Sequence, residues 1–354
     1  MTVSVFDHPW VSGLLGDGEA APFFSAEVEL KAMLEFEMAL AKAQAAEGVI
    51  PPDAADAIEA ALSHFHPDIL DLRAGTARDG VLVPGFVAQL RKAVGEAHGK
   101  HVHFGATSQD VVDTGLALRL KPLLAIYRER IAGLVAQFDA LSARDGAIET
   151  MGHTRMQAAI PVPAARKIAS WRDPLARHVE RLADIEAGVL ILSFGGAAGT
   201  LEKLGPKAEA VSRRLAGLLG LGYVPQARHS ERDGVAALAS WLSLVSGSLG
   251  KMGQDIALLA QSEVGEIKLS GGGGSSAMPH KVNPIGAEAL VALARFNATL
   301  VSGLHHSLVH EGERSGAAWT LEWMLLPQMT VATGAALRTA ATLLDGLSFR
   351  RPAA

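Results

Sequence analysis

Apolar residues recur at steps of three and four along most of this chain. The clearest run lies in residues 235–264, where Leu238, Trp241, Leu242, Val245, Leu249, Met252, Ile256 and Leu259 form one stripe over about six helical turns. Similar stripes run through 116–141 (Leu120, Leu124, Ile131, Leu134, Phe138, Leu141) and 287–308 (Leu290, Leu293, Leu300, Leu304, Leu308). Helices this long bury such stripes best side by side, so a bundle is predicted, with the Met and Trp residues of the stripes in its core. Residues 28–47 are rich in Ala, Leu, Met, Glu and Lys and predict a further helix. Gly48 stands where a helix-ending residue belongs, Pro51 and Pro52 follow, and Asp53 can cap the next helix. Alternating runs of β-branched residues are missing, which argues against a sheet protein and for an all-α fold.

Breaks fall near 75–85, near 95–106 and near 193–206, where Ser193-Phe-Gly-Gly-Ala-Ala-Gly199 reads as flexible. The expected organisation is a small N-terminal helical domain over 1–100, a central helical bundle over 101–345 and a short tail over 346–354. No internal repeat is visible.

Composition narrows the partners. A chain of 354 residues can bury a large core. Hydrophobic residues make up 49%, yet no run approaches the unbroken length of a membrane helix, and the N-terminus has neither a basic nor an apolar leader segment. Neither a membrane nor export is expected. The absence of cysteine excludes disulfides and thiolate metal sites and fits a reducing cytoplasm. A formal charge of −5 with no basic block argues against nucleic acid, so an anionic substrate must be drawn by a few local cations.

Three polar constellations interrupt the helices. The first in information is Gly271-Gly-Gly-Gly-Ser-Ser-Ala-Met-Pro-His-Lys-Val-Asn-Pro284. Four glycines free the backbone, and Ser275, Ser276, Lys281 and Asn283 add hydroxyls, a cation and an amide suited to gripping a carboxylate and steadying negative charge as it forms. A phosphate loop would place Gly before the lysine and Ser or Thr after it, but His280 and Val282 flank Lys281. The second is His101-Val-His-Phe-Gly-Ala-Thr-Ser-Gln-Asp110 and its continuation to Thr114. Thr107, Ser108 or Asp110 can cap a helix there, and a helix N-terminus offers backbone donors to a carboxylate. The third is Gly152-His-Thr-Arg-Met-Gln-Ala-Ala-Ile-Pro161.

The run Gly-Ser-Ser-x-Met-Pro-x-Lys-x-Asn-Pro resembles the signature loop of the fumarase/aspartase superfamily, whose members make or break a C–O or C–N bond β to a carboxylate. Thr107-Ser-x-Asp110 is similar to a second element of that superfamily, in the right order upstream. The third constellation resembles its middle region, usually Thr-His-x-Gln, with Arg155 in place of histidine. Over nearly the whole chain, including Phe24-Ser-Ala-Glu27, Phe36-Glu-Met-Ala-Leu-Ala-Lys42, His103-Phe-Gly-Ala-Thr-Ser-Gln-Asp110 and Leu249-Gly-Lys-Met-Gly-Gln-Asp255, the sequence is most similar to the superfamily's cycloisomerase branch. Members of that branch close a tricarboxylate diene to a γ-lactone. Superfamily members carry a further small helical domain after the bundle, and the resemblance implies that it is missing or much reduced here.

The chemistry of ring closure accounts for Arg155. Read backwards, lactonisation is a β-elimination whose leaving group is a carboxylate. An acid with a pKa near 4 leaves unaided, whereas an amine or hydroxide needs a general acid such as histidine. A fixed guanidinium that orients the attacking carboxylate then serves better than a proton shuttle. The resemblance implies that Ser275 delivers a proton to carbon, with His103 as reserve donor. Lys281, Asn283 and loop N–H groups steady the enolate-like aci-carboxylate. Thr107, Ser108 and Gln109 hold another carboxylate, Thr154, Gln157 and Ser276 line the pocket, and Arg314 binds substrate. Glu288, five residues after Asn283, is the expected partner of Arg155. No metal or cofactor is implied. His306 and His310 with Glu311 are set aside as a metal site, since the third ligand falls on a neighbouring helix face, and His64, His66 and His229 are expected at the surface. The resemblance further implies a homotetramer with active sites shared between chains. An adenylosuccinate- or argininosuccinate-type lyase is the alternative, and an inert helical scaffold a remote one.

Overall fold

The computed structural model describes residues 4–270, 273–274, 278 and 282–350. Eleven α-helices are joined by short loops and two small β-pairs among the described residues. In chain order the helices are α1 (Ser12–Leu15), α2 (Ala26–Ala46), α3 (Pro52–Leu62), α4 (Ile69–Asp79), α5 (Val83–Val94), α6 (Ser108–Asp145), α7 (Ala164–Val189), α8 (Ala208–Leu219), α9 (Asp233–Leu259), α10 (Ile285–His306) and α11 (Gly316–Asp345). Strands β1 (Glu149–Thr154) and β2 (Gln157–Pro163) form one antiparallel hairpin, and β3 (Ile267–Leu269) pairs antiparallel with β4 (Leu347–Phe349). The all-α expectation holds, and the hairpin is the part that helical periodicity did not foresee.

Local chemistry sets the helix ends. The Ser25 hydroxyl accepts from the Val28 N–H to open α2, and Asp68 accepts from Leu70 and Asp71 to open α4. Helix α2 ends at Ala46, two residues before Gly48, whose φ of 65° is left-handed. Asp53 is not a cap: Pro51 holds that position, and Asp53 lies in the first turn of α3, where its charge meets the positive end of the helix dipole.

Helices α6, α7, α9, α10 and α11 make a five-helix bundle around one core. Every residue of the predicted α9 and α6 stripes is buried. Helix α10 ends at His306, so Leu308 falls beyond the helix and is exposed. A Cβ on Gly253 would lie 2.5 Å from the Ala287 carbonyl oxygen, so glycine there lets α9 and α10 run in backbone contact. A second core joins α2, α3, α4 and α5 with the first turns of α6, and α8 packs on α2 from residues far along the chain.

Helices α9 and α10 are, by length and composition, apolar enough to cross a membrane, with mean hydropathies of 1.2 and 1.3. This amends the expectation from unbroken runs, because scattered Ser, Gly and Asn residues interrupt each run without lowering the average enough. In α9 that character is explained by burial within the bundle, whereas much of the apolar surface of α10 faces outward.

Candidate active site

The N-terminus of α6 is the most heavily built part of the molecule. Thr107 caps the helix, and Asp110 returns its carboxylate to the Thr107 N–H at 2.9 Å to close a capping box. Asp110 is fully buried and does more than cap. Its oxygens also accept from the N–H groups of Gly195 at 2.8 Å and Gly196 at 3.0 Å, and its Oδ1 lies 2.7 Å from His229 Nε2. One carboxylate thus pins two distant loops to the helix start. The 193–199 segment, expected to be flexible, is anchored: a Cβ on Gly195 would lie 2.6 Å from Ala227 and 2.9 Å from the His229 ring. His229, expected at the surface, is 3% exposed, because its partner lies 119 residues away and no local pattern announces it. His64 and His66 are exposed as expected.

Arg314 joins this cluster. Its Nε donates to Gln109 Oε1 at 3.0 Å, and its Nη2 reaches the carbonyls of Gly196 and Ala197. The Gln109 amide donates in turn to the His229 carbonyl at 2.7 Å and to Asp113 at 3.1 Å. Gln109 is wholly buried with its side chain engaged within the chain, which places it behind Arg314 rather than against a ligand. Thr107 and Ser108, half-buried, remain at the rim with the first N–H groups of α6.

Behind the rim lies a charge cluster that sequence reading missed. Arg232 donates to Asp113 Oδ2 at 2.6 Å and to Glu322 at 2.8 and 2.5 Å, and Trp319 Nε1 donates to Asp113 at 3.0 Å. Burial opposes the Arg232 charge, but the flanking Asp113 and Glu322 carboxylates outweigh it and hold the guanidinium above its ordinary pKa. His310 is buried 3.7 Å from Glu322, not on a helix face with His306, since α10 has ended by then. The available signal was Glu231-Arg232-Asp233 opening an otherwise apolar helix.

His103 sits one tight turn before Thr107, in a left-handed conformation with φ 61°. Its Nδ1 lies 2.6 Å from the buried Glu37 carboxylate on α2. Burial disfavours the imidazolium, but the Glu37 charge and hydrogen bond, with Asp110 behind, outweigh both burial and Arg91 and raise the His103 pKa.

The other expected site residues are elsewhere. Helix α6 has 38 residues, a span of about 57 Å, and the β1–β2 hairpin grows from its far end. Thr154, Arg155 and Gln157 are exposed at the hairpin tip, where Arg155 (φ 50°) and Met156 (φ 66°) make a two-residue turn. Strands of six and seven residues reach roughly 20 Å, too short to return to Thr107. Asn283 pairs through its backbone with Gly273, four residues beyond β3, and β3 lies at the hairpin end because Glu266 accepts from Met151 N–H at 2.6 Å. Ser275, Ser276 and Lys281 lie outside the described residues. The expected Arg155–Glu288 pair is not formed within the chain: Glu288 is exposed in the first turn of α10 and Arg155 sits on the hairpin tip. No cluster of three or more metal-type ligands occurs among the described residues.

Residues 20–296 match the model of a family described as lyase. The chain belongs to that family, within the fumarase/aspartase superfamily. It is 41% identical over 337 residues to the 3-carboxy-cis,cis-muconate cycloisomerase of Pseudomonas aeruginosa, covering 93% of this chain and 73% of that one. The enzyme of the same name from Pseudomonas putida is 39% identical, over 98% of this chain and 82% of that one. The crystal structure of the 3-carboxy-cis,cis-muconate lactonizing enzyme from Pseudomonas putida superposes with a TM-score of 0.90 at 36% identity, covering 96% and 77% of the two chains.

Proposed function

We propose that this chain is a cycloisomerase that closes 3-carboxy-cis,cis-muconate to 4-carboxymuconolactone, a step in the protocatechuate branch of aromatic catabolism. The observation that carries the reading is Arg155, a permanent cation on an exposed hairpin tip where related lyases place a proton-shuttling histidine. A carboxylate of the substrate adds to the double bond and forms the ring C–O bond, and the electrons of the double bond move onto the adjacent carboxylate as an aci-carboxylate. A proton then adds to the neighbouring carbon. The trianionic substrate thus takes up one proton and leaves as a dianionic lactone. The guanidinium of Arg155 orients the attacking carboxylate, and the α6 N-terminus with Thr107, Ser108 and Arg314 holds another. Lys281, Asn283 and the glycine-loop N–H groups steady the aci-carboxylate, Ser276 lines the pocket with Thr154 and Gln157, and Ser275 delivers the proton to carbon, with His103 the reserve donor.

The site is assembled from several copies of the chain in a homotetramer. The α6 N-terminus and the hairpin stand at opposite ends of a helix about 57 Å long, so one chain cannot bring them to one substrate. Apolar side chains exposed along the bundle, among them Leu244, Ile285 and Met324, supply the surface such an assembly buries.

Ultraviolet absorbance tests the activity directly, because ring closure removes the conjugated diene. Loss of the diene band with 3-carboxy-cis,cis-muconate, and no turnover of adenylosuccinate or argininosuccinate, is the expected result. Turnover of either succinate instead assigns the chain to the lyases.

A further inference from the structure

The β1–β2 hairpin is thinly held. In its two strands only Thr150 is buried, and a cleft of about 630 Å³ separates the hairpin from α7 and α9, with Gly152 and Ile160 on one side and Lys167, Ser170, Lys251 and Leu258 on the other. Its ladder is interrupted as well. The register shifts between Met151 and His153, and Pro161, which stands opposite Met151, has no N–H to give. The Met151 peptide is instead gripped from outside the hairpin, at both its N–H and its carbonyl. Glu266, 3% exposed, accepts from the Met151 N–H at 2.6 Å, and Lys167 of α7 donates to the Met151 carbonyl at 2.8 Å. The Nδ1 of the exposed His153 ring lies 3.1 Å from the same carbonyl.

Satisfying one strand peptide does not by itself call for this pair. A neutral acceptor would serve the Met151 N–H, yet the chain buries a carboxylate at a cost. Its Oε2 has no hydrogen-bond partner among the described residues, and its cation, Lys167 Nζ, stands 3.8 Å away. What the charge adds is strength, since a hydrogen bond to an ionised group is about twice as strong as a neutral one. The charged pair sits where the ladder is interrupted, and both partners stand on fixed ground. Lys167 lies in the first turn of α7, and the Glu266 carbonyl accepts from the Arg350 N–H at 2.8 Å beside the β3–β4 pair. The backbone of Glu266 is thus held without its side chain, which among the described residues reaches only the hairpin and Lys167.

We infer that Glu266 and Lys167 form a clamp on the Met151 peptide and are the positioning residues of Arg155. Arg155 lies four residues beyond the clamp, about 13 Å along the strand, so a tilt of about 10° at Met151 carries the tip by roughly 2 Å. The open cleft beneath offers no close packing against such a tilt. The two-residue turn at Arg155 and Met156 sets the shape of the tip, and the clamp sets its direction. A misplacement of about 1 Å is enough to spoil the alignment of reacting groups, so the clamp governs how well the guanidinium orients the attacking carboxylate. Neither clamp residue touches substrate or moves a proton.

The inference rests on the cycloisomerase reading for what Arg155 does and on the fold alone for the clamp, so two measurements separate the failures. Hydrogen exchange of the peptide spanning 149–163, read by mass spectrometry, needs no substrate. In Glu266→Ala its exchange should quicken by about tenfold, with α7, α9 and the β3 segment unchanged. Diene absorbance should then show kcat lowered about tenfold, with KM within about threefold. In an Arg155→Ala background the same substitution should cost under about twofold, because the tip no longer carries the group being aimed. Damage to the fold would instead cost the same in both backgrounds. Lys167→Met should repeat the pattern and stands in should Glu266→Ala fail to fold. Glu266→Gln, which keeps an acceptor for the Met151 N–H without the charge, should recover part of the loss. Exchange unchanged in both Glu266→Ala and Lys167→Met, or a kcat loss equal with and without Arg155, overturns the assignment. Quickened exchange in a protein whose unsubstituted form does not turn over the muconate discards the cycloisomerase reading and with it the purpose of the aim, while the clamp itself stands.

Discussion

The two ends of the bundle are built on opposite principles. At the α6 N-terminus, charges are buried and paired: Asp110 with His229 and three backbone N–H groups, Arg232 with Asp113 and Glu322, Glu37 with His103. At the other end, Thr154, Arg155, Gln157 and Glu288 are exposed and make no ion pairs among the described residues. The first end is paired internally, and the second presents polar groups left exposed among the described residues. A fold stabilised at one end and left polar and open at the other is what a site assembled between copies requires. It also predicts that substitutions at the two ends fail differently, one in stability and the other in turnover.

The largest expected effect is on turnover. Ser275→Ala should lower kcat by about a thousandfold or more, with an unchanged circular dichroism spectrum, on the reading that it is a proton donor. Arg155→Ala should lower turnover by about a hundredfold with no loss of stability, since its side chain is exposed and makes no ion pair among the described residues. If sites are shared, mixing the two inactive variants after dissociation and reassociation regains a fraction of wild-type activity. Mixtures that stay dead, or an active monomer by light scattering, break the comparison at its root.

Stability should respond at the first end. Arg232→Met leaves the buried carboxylates of Asp113 and Glu322 without their cation, at a cost of about 3–5 kcal/mol in chemical denaturation. A loss under 1 kcal/mol, or an equal loss in Arg155→Met, removes the distinction between a finished end and an open one.

Between the ends, acid acts through His178, buried in α7. Burial and then the neighbouring Arg181 and Arg177 lower its pKa from 6.5 to about 4, and Arg181 donates to its Nδ1 at 3.2 Å, as a neutral ring allows. Below pH 6.5 the unfolded chain takes up a proton that the folded one refuses until about pH 4. Stability therefore falls as pH drops through that window, by about 2 kcal/mol after allowance for solvent screening. His103 has the opposite sign: its raised pKa contributes stability below the unfolded value that is lost as pH rises through the folded one. Denaturation midpoints of His178→Gln should lose most of the acid slope that the wild type shows between pH 6.5 and 4.

Much of this was legible in the sequence. The α6 and α9 stripes are in the core, and α6 is capped within the predicted group of Thr107, Ser108 and Asp110, by Thr107. What local pattern could not give was pairing across long separations: Glu37 to His103 over 66 residues, Asp110 to His229 over 119, Arg314 to Gln109 over 205. A glutamate among helix formers or a histidine in a polar loop looks solvated until the fold supplies its partner. The hairpin escaped for a different reason. Its residues do not alternate apolar and polar because both faces of the hairpin are largely exposed, so the usual signal of a half-buried strand has no cause to exist.

That hairpin carries the smallest and most diagnostic prediction. Arg155 and Met156 both hold positive φ, a conformation that glycine or asparagine adopts without penalty and that other side chains resist. Met156 is 75% exposed, so its side chain contributes little burial to offset the strain. Met156→Gly should therefore stabilise the fold by a few tenths to about 1 kcal/mol through the turn, less the extra backbone freedom that glycine gives the unfolded chain. If Arg155 acts from this tip on a neighbouring copy's substrate, the stiff two-residue turn is what aims it. The same variant should then raise KM or lower kcat severalfold while melting no earlier than wild type. Lower stability with unchanged turnover would show that Met156 packs in the assembly, and that the open end is closed by burial rather than by chemistry.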